Sequence, residues 1–419
     1  MRPKQLRCGL GTAGAVLLGL ALAASSWAQD PFDPSDKPIA FAGDGPNSED
    51  RLVDNKPRLY KVRHKGVEHK RPPQRPPRKA VEDEKKPTFS WKDGTSTFVF
   101  DKGTVNISTR LQGRWTHTNP EARGPTDAVR LQRARTEFEG WFYREELTYE
   151  LQLNWIGDPN VIRTLNLNWD PSKRRSFQLK VGQFKVPFGR QRLTSSGSQQ
   201  FVDRSIVSSE FTQGLDIGMQ LWGVLANSTV EYRAGIFNGK GESELTNKNG
   251  KYQYNARLMF QPFGDVKYSE GDFESKTKPL LAIAGNFEQN DLRGSTVSDR
   301  LKRTIGGMDG VFKYKGFSAF GEAFRGEFES ETGTTFNSNG YHFQAGYFLI
   351  KDLVEVAGRY ASLDPSDATA NDDRREVGVA LNYFLNKHYL KAQADFRQIE
   401  DEARQAKDRQ VRLQLQVTF

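Results

Sequence analysis

The sequence predicts an all-β fold: a sixteen-stranded antiparallel transmembrane β-barrel. From residue 88 onward, apolar and polar side chains alternate over successive segments of about ten to fourteen residues, the period of a two-faced strand. Short links between segments alternate with long ones, as turns and loops do at the two ends of a membrane barrel. The mean hydropathy of −0.70, with 36% hydrophobic residues, agrees with strands that are half polar.

Residues 1–28 have the features of a secretory signal peptide. Basic residues precede an apolar run over 9–24, and small residues follow it up to Ala28. The single cysteine, Cys8, lies within this segment. Cleavage would therefore leave a chain without disulfides, thiolate metal ligands or cysteine nucleophiles.

Residues 29–87 are predicted to form a disordered extension rich in Pro, Lys and Arg, placed in the periplasm. Over 51–86 the chain carries thirteen Lys and Arg against five Asp and Glu, with prolines that prevent regular pairing. Such a segment either binds an anionic partner, which could be the cell wall, an envelope complex or lipid headgroups, or is a solvated linker. Nucleic acid is not expected as a partner, because the chain is exported and aromatic residues do not interleave with the basic ones.

Residues 88–419 contain sixteen predicted strands, an even number as bacterial outer-membrane barrels have. The predicted strands are 103–117, 129–143, 145–156, 160–170, 174–184, 214–224, 228–238, 252–263, 278–290, 303–314, 316–328, 339–350, 353–363, 374–386, 388–399 and 409–419.

The two faces of these strands differ in chemistry. In the third strand, Leu147, Tyr149 and Leu151 alternate with Thr148 and Glu150. A charged face would not fill a protein core, so one face is expected in lipid and the other in water. Aromatic residues near the segment ends predict the two interfacial girdles of a membrane barrel.

The chain ends within an alternating segment, Val411 to Phe419. Pairing of this last strand with the first would close the barrel and leave no free edge. Phe419 is then expected at the periplasmic interface. One link breaks the alternation of short and long: 264–278 is long where a short turn is expected. It is either an ordered periplasmic hairpin or a sign that the strand phase has slipped.

Nearly 30 residues separate the fifth and sixth strands, a length typical of functional loops. This stretch contains VGQFKVPFG (181–189), LTSS (193–196) and FVDRS (201–205), followed by Gly214 and Gly218. In these residues the chain resembles the phosphate-selective porin O and P family, and the resemblance extends over about 90–419.

The resemblance implies a homotrimeric channel in the outer membrane of a Gram-negative-type bacterium, with its third loop folded into the lumen. It implies passive diffusion of small anions, with phosphate or polyphosphate as permeants, through a passage lined by arginines with lysines near the entrance. Membrane lipid and small anions are the partners expected on this basis.

Candidate anion-binding residues come from the loop and from inward strand positions. Guanidinium groups stay charged at neutral pH and bind phosphate oxygens with two donors, and a series of them would pass an anion from site to site. The candidates are Lys185, Arg190, Arg192 and Arg204 in the loop and Arg110, Arg114, Arg133 and Arg135 on the strands. Alternatively, these arginines pair across strands with acidic residues of the same faces, such as Glu137, Glu139 and Glu150.

No catalytic activity, metal site or cofactor is predicted. His117, His342 and His388 lie on separate strands or at strand ends, without metal-ligand spacing. Two functions stay open at this point. One is an anion channel; the other is a structural barrel whose basic arm tethers it to the cell wall or an envelope complex, with an incidental or unselective pore.

Overall fold

The computed structural model describes residues 87–121, 123–157, 161–247, 249–274, 277–293 and 301–419. The predicted signal peptide and residues 29–86 of the predicted extension lie outside this part of the chain. The described elements are β1 (Thr88–Lys92), β2 (Thr95–Phe100), β3 (Gly103–Asn119), β4 (Thr126–Phe142), β5 (Arg144–Asn154), β6 (Ile162–Trp169), β7 (Gln178–Lys185), α1 (Arg190–Leu193), α2 (Ile206–Phe211), β8 (Leu215–Leu225), β9 (Val230–Phe237), β10 (Gln253–Phe260), β11 (Leu280–Asp291), β12 (Lys302–Tyr314), β13 (Phe317–Glu329), β14 (Thr335–Ile350), β15 (Val354–Asp364), β16 (Arg374–Asn386), β17 (Leu390–Asp401) and β18 (Ala406–Thr418).

Strands β3 to β18 form a closed antiparallel barrel of sixteen strands. Each pairs with the next, and β18 returns to pair with β3 between Arg409–Asn119 and Thr418–Arg110. All sixteen predicted segments coincide with one of these strands, so the predicted fold class is confirmed. Among the described residues, no helix is long and apolar enough to cross a membrane.

Side chains alternate between an apolar outer face and a polar inner face. On β16, Val377, Val379 and Leu381 are about half exposed on the outside, whereas Glu376 and Asn382 are fully buried inside. This is the period of two that the sequence shows. We call the end of the barrel that holds Phe419 its lower end. Exposed aromatic side chains gather there: Tyr143, Trp169, Phe260, Phe263, Phe317, Tyr347, Tyr383 and Phe419.

A hairpin of β1 and β2 precedes the barrel and was not predicted. β2 pairs with the lower part of β3, residues 103–108, whereas β18 pairs with residues 110–119 of the same strand. Asp93 and Gly94 form the turn between β1 and β2, with φ of 49° and 73°. Asp-Gly is the sequence that a two-residue type I′ turn favours, so this signal was present in the sequence.

The third loop, residues 186–214, packs on inward-facing residues of the strands. It contains α1, a short 3₁₀ turn at Ser196–Ser198 and α2. Apolar side chains on both sides of the loop pack on inward residues of the strands and form a cluster inside the lumen. The buried members are Phe184, Val186, Phe188, Val207, Phe211, Phe237, Ile305, Phe324, Ala361 and Leu363.

The unusually long link 264–278 also folds inward, from the lower end. The predicted phase is correct, because β10 and β11 coincide with the segments predicted on either side of the link. Val266 is buried in an apolar cluster with β10 to β13. The Phe273 ring lies 4.9 Å from the Phe348 ring, 4.9 Å from the Phe384 ring and 5.1 Å from the His388 ring, measured between centroids. The described residues 264–274 of the link therefore pack inside the lower lumen.

Candidate functional site

The third loop is fastened to the inner wall of β13 to β17 by backbone hydrogen bonds. Carboxylates that point inward from these strands accept from backbone N–H groups of the loop, which would otherwise lose hydrogen bonds to water on burial. The pairs are Gln191 to Glu322 (2.9 Å), Val202 to Asp395 (3.0 Å) and Ile206 to Glu376 (2.9 Å). These acidic residues therefore hold the loop in place.

Three of the predicted loop cations bind backbone carbonyl groups. They are buried and donate within the loop or to the inward-folded link, so they fix the shape of the loop. The contacts are Lys185 Nζ to Leu193 O (2.8 Å), Arg204 Nη2 to Thr194 O (2.7 Å) and Arg190 Nη2 to Lys267 O (2.5 Å).

Asp203 joins the loop to the strands where the barrel closes. Its carboxylate lies 2.9 Å from Arg114 on β3, 2.8 Å from Arg412 on β18 and 3.7 Å from Arg133 on β4. Burial alone would raise the pKa of the Asp203 carboxyl, but the guanidinium groups of Arg114, Arg412 and Arg133 outweigh burial and hold that pKa well below its usual range. The predicted candidate Arg114 is thus paired with a loop carboxylate.

The two sides of the inner wall differ in exposure. Inward side chains along the middle of β10 to β18 are almost all buried beneath the loop and the link 264–278. On β3 to β9 many are partly exposed. The more exposed part of the inner wall is therefore that of β3 to β9. Its partly exposed inward side chains include Arg110, Glu137, Glu139, Thr148, Glu150, Lys180, Trp222 and Arg233.

Arginines concentrate on this side at the level of the loop. Arg110 and Arg135 are register partners on β3 and β4, and Arg133 lies one inward position above Arg135. Arg110 donates to the hydroxyl of Ser195 in the loop at 3.0 Å. The charged neighbours of Arg135 include Arg133, Arg110, Arg163 and the carboxylate of Glu242. Four strand arginines thus lie near one another, with Glu242 beside Arg163 and Asp203 beside Arg133.

Arg192 brings a further guanidinium to this group from the loop. Its Nη2 donates to the carbonyl of Gln213 at 2.9 Å, while Nε and Nη1 have no hydrogen-bond partner among the described residues, although the residue is only 3% exposed. Burial and then the charge of Arg163 lower the pKa of the Arg192 guanidinium, against the opposite effect of Glu242. An arginine still stays protonated at neutral pH. Arg192 therefore has two buried donors without a hydrogen-bond partner among the described residues, close to Arg163.

Sequence reasoning missed Arg163. Strict alternation on β6 would place it outward with Leu165 and Leu167, but the pairing register shifts between the partners of Ile162 and Thr164. This bulge turns Arg163 inward, where it is 1% exposed and pairs with Glu242 at 2.7 Å. Alternation alone carries no signal for such a bulge.

Lys180 was also missed, although its parity places it inward. Its ammonium lies 6.0 Å from the centre of the Trp222 ring, and the Arg233 guanidinium lies 5.4 Å from the same ring. Glu150 and Glu139, which are register partners on β5 and β4, are charged neighbours of Lys180. Below the arginine group, the wall thus carries cations on β7 and β9 and carboxylates on β4 and β5.

Other inward arginines pair with carboxylates across strands, the alternative that the sequence left open. Arg257 binds Asp309, Arg359 lies 3.3 Å from Glu376, and Arg412 lies 2.7 Å from Asp395. The histidines also have structural contacts: His117 with Asp127 (3.0 Å), His342 with Glu322 (2.9 Å) and His388 with the carbonyl of Glu270 (3.0 Å).

A family model, phosphate-selective porin O and P, matches residues 105–419. The chain belongs to this family. The match covers all of the barrel except the first two residues of β3, and it confirms the resemblance seen in the third loop. The protein is accordingly an outer-membrane porin, and its family consists of channel proteins.

Solved porins share the fold at low sequence identity. An anion-selective porin from Comamonas acidovorans has a TM-score of 0.54 and 10% identity, over 76% of this chain and 100% of that one. Outer-membrane expressed OmpT of Vibrio cholerae has a TM-score of 0.51 and 11% identity, over 77% and 99% of the two chains. A trimer form of in-vitro folded OmpT reaches 0.50 with 12% identity, over 75% and 99%.

One curated relative was found at the sequence level. It is an uncharacterized protein of Aquifex aeolicus (strain VF5), 23% identical over 268 residues, which are 58% of this chain. The chain spans 64% of the length of this relative.

Proposed function

We propose that this porin is an outer-membrane channel for passive diffusion of small anions, with phosphate and polyphosphate among its permeants. The observation that carries the proposal is the group of Arg110, Arg133, Arg135, Arg163 and Arg192, which lie near one another on β3, β4, β6 and the third loop. Membership of a family described as phosphate-selective supports it, as does the fold shared with an anion-selective porin.

Electrostatics explains why such a group would favour anions. A guanidinium is weakly hydrated and offers two donors to a pair of phosphate oxygens. Glu242 pairs with Arg163 and Asp203 lies near Arg133, so these two carboxylates offset part of the charge of the group. Glu322, Glu376 and Asp395 accept hydrogen bonds from the loop backbone instead. The lumen beside the loop is therefore electropositive, and a shaped low-dielectric passage focuses that field on the permeant.

The wall below would let the anion leave. Lys180 and Arg233 offer the next positive charges, and Arg233 is partly neutralised by Glu231 at 2.8 Å. Glu139 and Glu150 face the same space and weaken the attraction there. A series of sites with moderate affinity conducts better than one site with high affinity, because a permeant must bind but also dissociate.

The eight predicted candidates then divide into two roles. We propose that Arg110, Arg133, Arg135 and Arg192 line the passage together with Arg163 and Lys180. Lys185, Arg190, Arg204 and Arg114 act on the permeant only through the loop, because their donors bind loop or link carbonyls or Asp203.

We further propose that the lower end of the barrel faces the periplasm, with the basic extension on that side, and that the porin is a homotrimer. A concavity of about 720 Å³ on the outer face of β16 to β18 and β3 to β4 supports the assembly. Small residues, Gly113, Ala392 and Ala394, lie in it among Trp115 and Leu413, which allows close approach of a second copy. Native mass measurement in detergent tests the number of copies.

Single-channel recording of the full-length mature protein in planar bilayers tests the channel. In a KCl gradient the reversal potential should have the sign of an anion-selective pore, and added phosphate should reduce the chloride current. A cation-selective current, or one that phosphate leaves unchanged, would contradict the proposal and leave a general diffusion porin. Absence of any channel would favour the structural barrel with a tethering arm.

A further inference from the structure

The β1–β2 hairpin has one face made of large apolar side chains. Phe89 and Trp91 on β1 are 61% and 63% exposed, and Phe100 on β2 is 45% exposed. They alternate with Ser90 and Lys92 on the opposite face. This is more exposed aromatic surface than two short strands in water are expected to carry, because each ring favours transfer out of water.

The register places this face in line with the outside of the barrel. Phe98 of β2 is the partner of Val105, an outward residue of β3, and Phe89 is in turn the partner of Phe98, with ring centroids 5.1 Å apart. The hairpin therefore continues the lipid-facing surface of β3 below the end of β18. A Cβ at Gly94 would lie 2.3 Å from the carbonyl oxygen of Thr418, so the turn touches the C-terminus of the barrel.

The depth of the hairpin follows from its residue types and its edge. Phe89, Trp91 and Phe100 lie beside the exposed aromatic residues of the lower end, such as Phe419 at 53% exposure. Trp and other aromatic rings prefer the headgroup region of a membrane. No strand among the described residues pairs with the outer edge of β1. Such an edge needs water for its N–H and C=O groups, which the interface supplies and the hydrocarbon core does not.

Charge indicates which headgroups would be bound. Lys92 and Lys102 lie at the two ends of the hairpin sheet, and residues 51–86, with thirteen Lys and Arg against five acids, directly precede it in the chain. Basic residues held next to a bilayer are attracted to anionic lipids.

From these observations we infer that the hairpin is a membrane-surface anchor. Its aromatic face inserts into the headgroup region of the leaflet at the lower end of the barrel, where Lys92 and Lys102 attract anionic phospholipid headgroups. This inference goes beyond conduction and does not depend on selectivity.

Site-directed spin labelling tests the anchor, because the mature chain has no cysteine of its own. Trp91→Cys and Ser90→Cys place a label on opposite faces of β1, and Phe89→Cys with Thr88→Cys is a second pair if the first does not fold. The proteins are reconstituted in phosphatidylethanolamine vesicles with and without phosphatidylglycerol. Collision rates with oxygen, which partitions into lipid, and with a water-soluble nickel complex are then measured.

If the hairpin is an anchor, the label at residue 91 should collide more often with oxygen than with the nickel complex, and the label at residue 90 more often with the nickel complex. Phosphatidylglycerol should make the label at residue 91 insert more deeply into the bilayer. Equal nickel access at both residues would overturn the inference. Protection of residue 91 from both reagents, with dipolar broadening between labels, would show that a second copy of the chain covers the face, and would overturn it too. None of these readings depends on conductance, so failure of the anchor is distinguishable from failure of the channel.

Discussion

Replacing Arg192 with glutamine should weaken phosphate binding in the lumen while leaving the barrel folded. Glutamine retains a donor for the carbonyl of Gln213, the one hydrogen-bond acceptor that Arg192 contacts, at 2.9 Å. The two other guanidinium nitrogens, Nε and Nη1, have no partner among the described residues, so their loss leaves no acceptor unpaired. What the variant removes is one buried positive charge close to Arg163.

The expected loss follows from Coulomb's law. An anion held about 6 Å from the guanidinium gains about 0.7 kcal/mol at the dielectric constant of water and about 2.8 kcal/mol at an effective value of 20. Since about 1.4 kcal/mol corresponds to a factor of ten, the phosphate concentration that halves the chloride current should rise between about threefold and about a hundredfold. The effect should shrink as ionic strength rises, because salt screens the charge.

The assay is phosphate block of the single-channel chloride current, wild type against Arg192→Gln. Arg404→Gln is the matched control: its side chain is 56% exposed and pairs with Asp401 and Asp408 outside the lumen. The control should leave the blocking concentration unchanged. Equal blocking concentrations in wild type and Arg192→Gln, with unchanged conductance in both, would refute the assignment of Arg192 to the passage.

Further outcomes are expected elsewhere in the molecule. Asp203→Asn leaves buried guanidinium groups without their carboxylate, so it should destabilise the loop by about 3–5 kcal/mol, measured by calorimetry. The Asp203 pKa is depressed, so its stabilisation is complete above the unfolded value near 4 and is lost below it. The calorimetric difference between wild type and Asp203→Asn should stay constant from pH 7 to about pH 4 and shrink at lower pH. Phe273→Ala should loosen the link 264–278, cost about 3–5 kcal/mol, and raise conductance, with a normal reversal potential. Deletion of residues 29–86 should change neither conductance nor selectivity; an altered pore would show that the extension and the channel are coupled.

The barrel was predictable because a period of two acts locally along each strand. Alternation alone located all sixteen strands, and the motif of residues 181–205 predicted the inward loop. The β1–β2 hairpin also has a local sequence signal, the turn residues Asp93 and Gly94, but it was not among the predicted strands. These features are determined by residues that are close together in the sequence, so the sequence alone is enough to predict them.

The site was less predictable because its contacts join distant parts of the chain. Whether a cation such as Arg190 meets an anion or a carbonyl depends on the link 264–278, whose inward fold has no short sequence signature. The bulge that turns Arg163 inward breaks the very alternation used to assign faces. Composition shows that arginines and acids share the inner wall, but only the three-dimensional pairing shows which arginines Asp203 neutralises.

The central claim is that anions pass between the third loop and the wall of β3 to β9. Thiol reactivity in the open channel tests it most directly. Two single-cysteine variants are compared. Thr148→Cys replaces a partly exposed residue on that wall, whereas Gln344→Cys replaces a buried residue that contacts the loop at Gln200 and Gln191. We predict that a negatively charged thiosulfonate reagent modifies residue 148 and reduces the current faster than its positively charged analogue, and that residue 344 reacts slowly with both. Faster modification of residue 148 by the positive reagent, or faster modification of residue 344 than of 148, would contradict the claim.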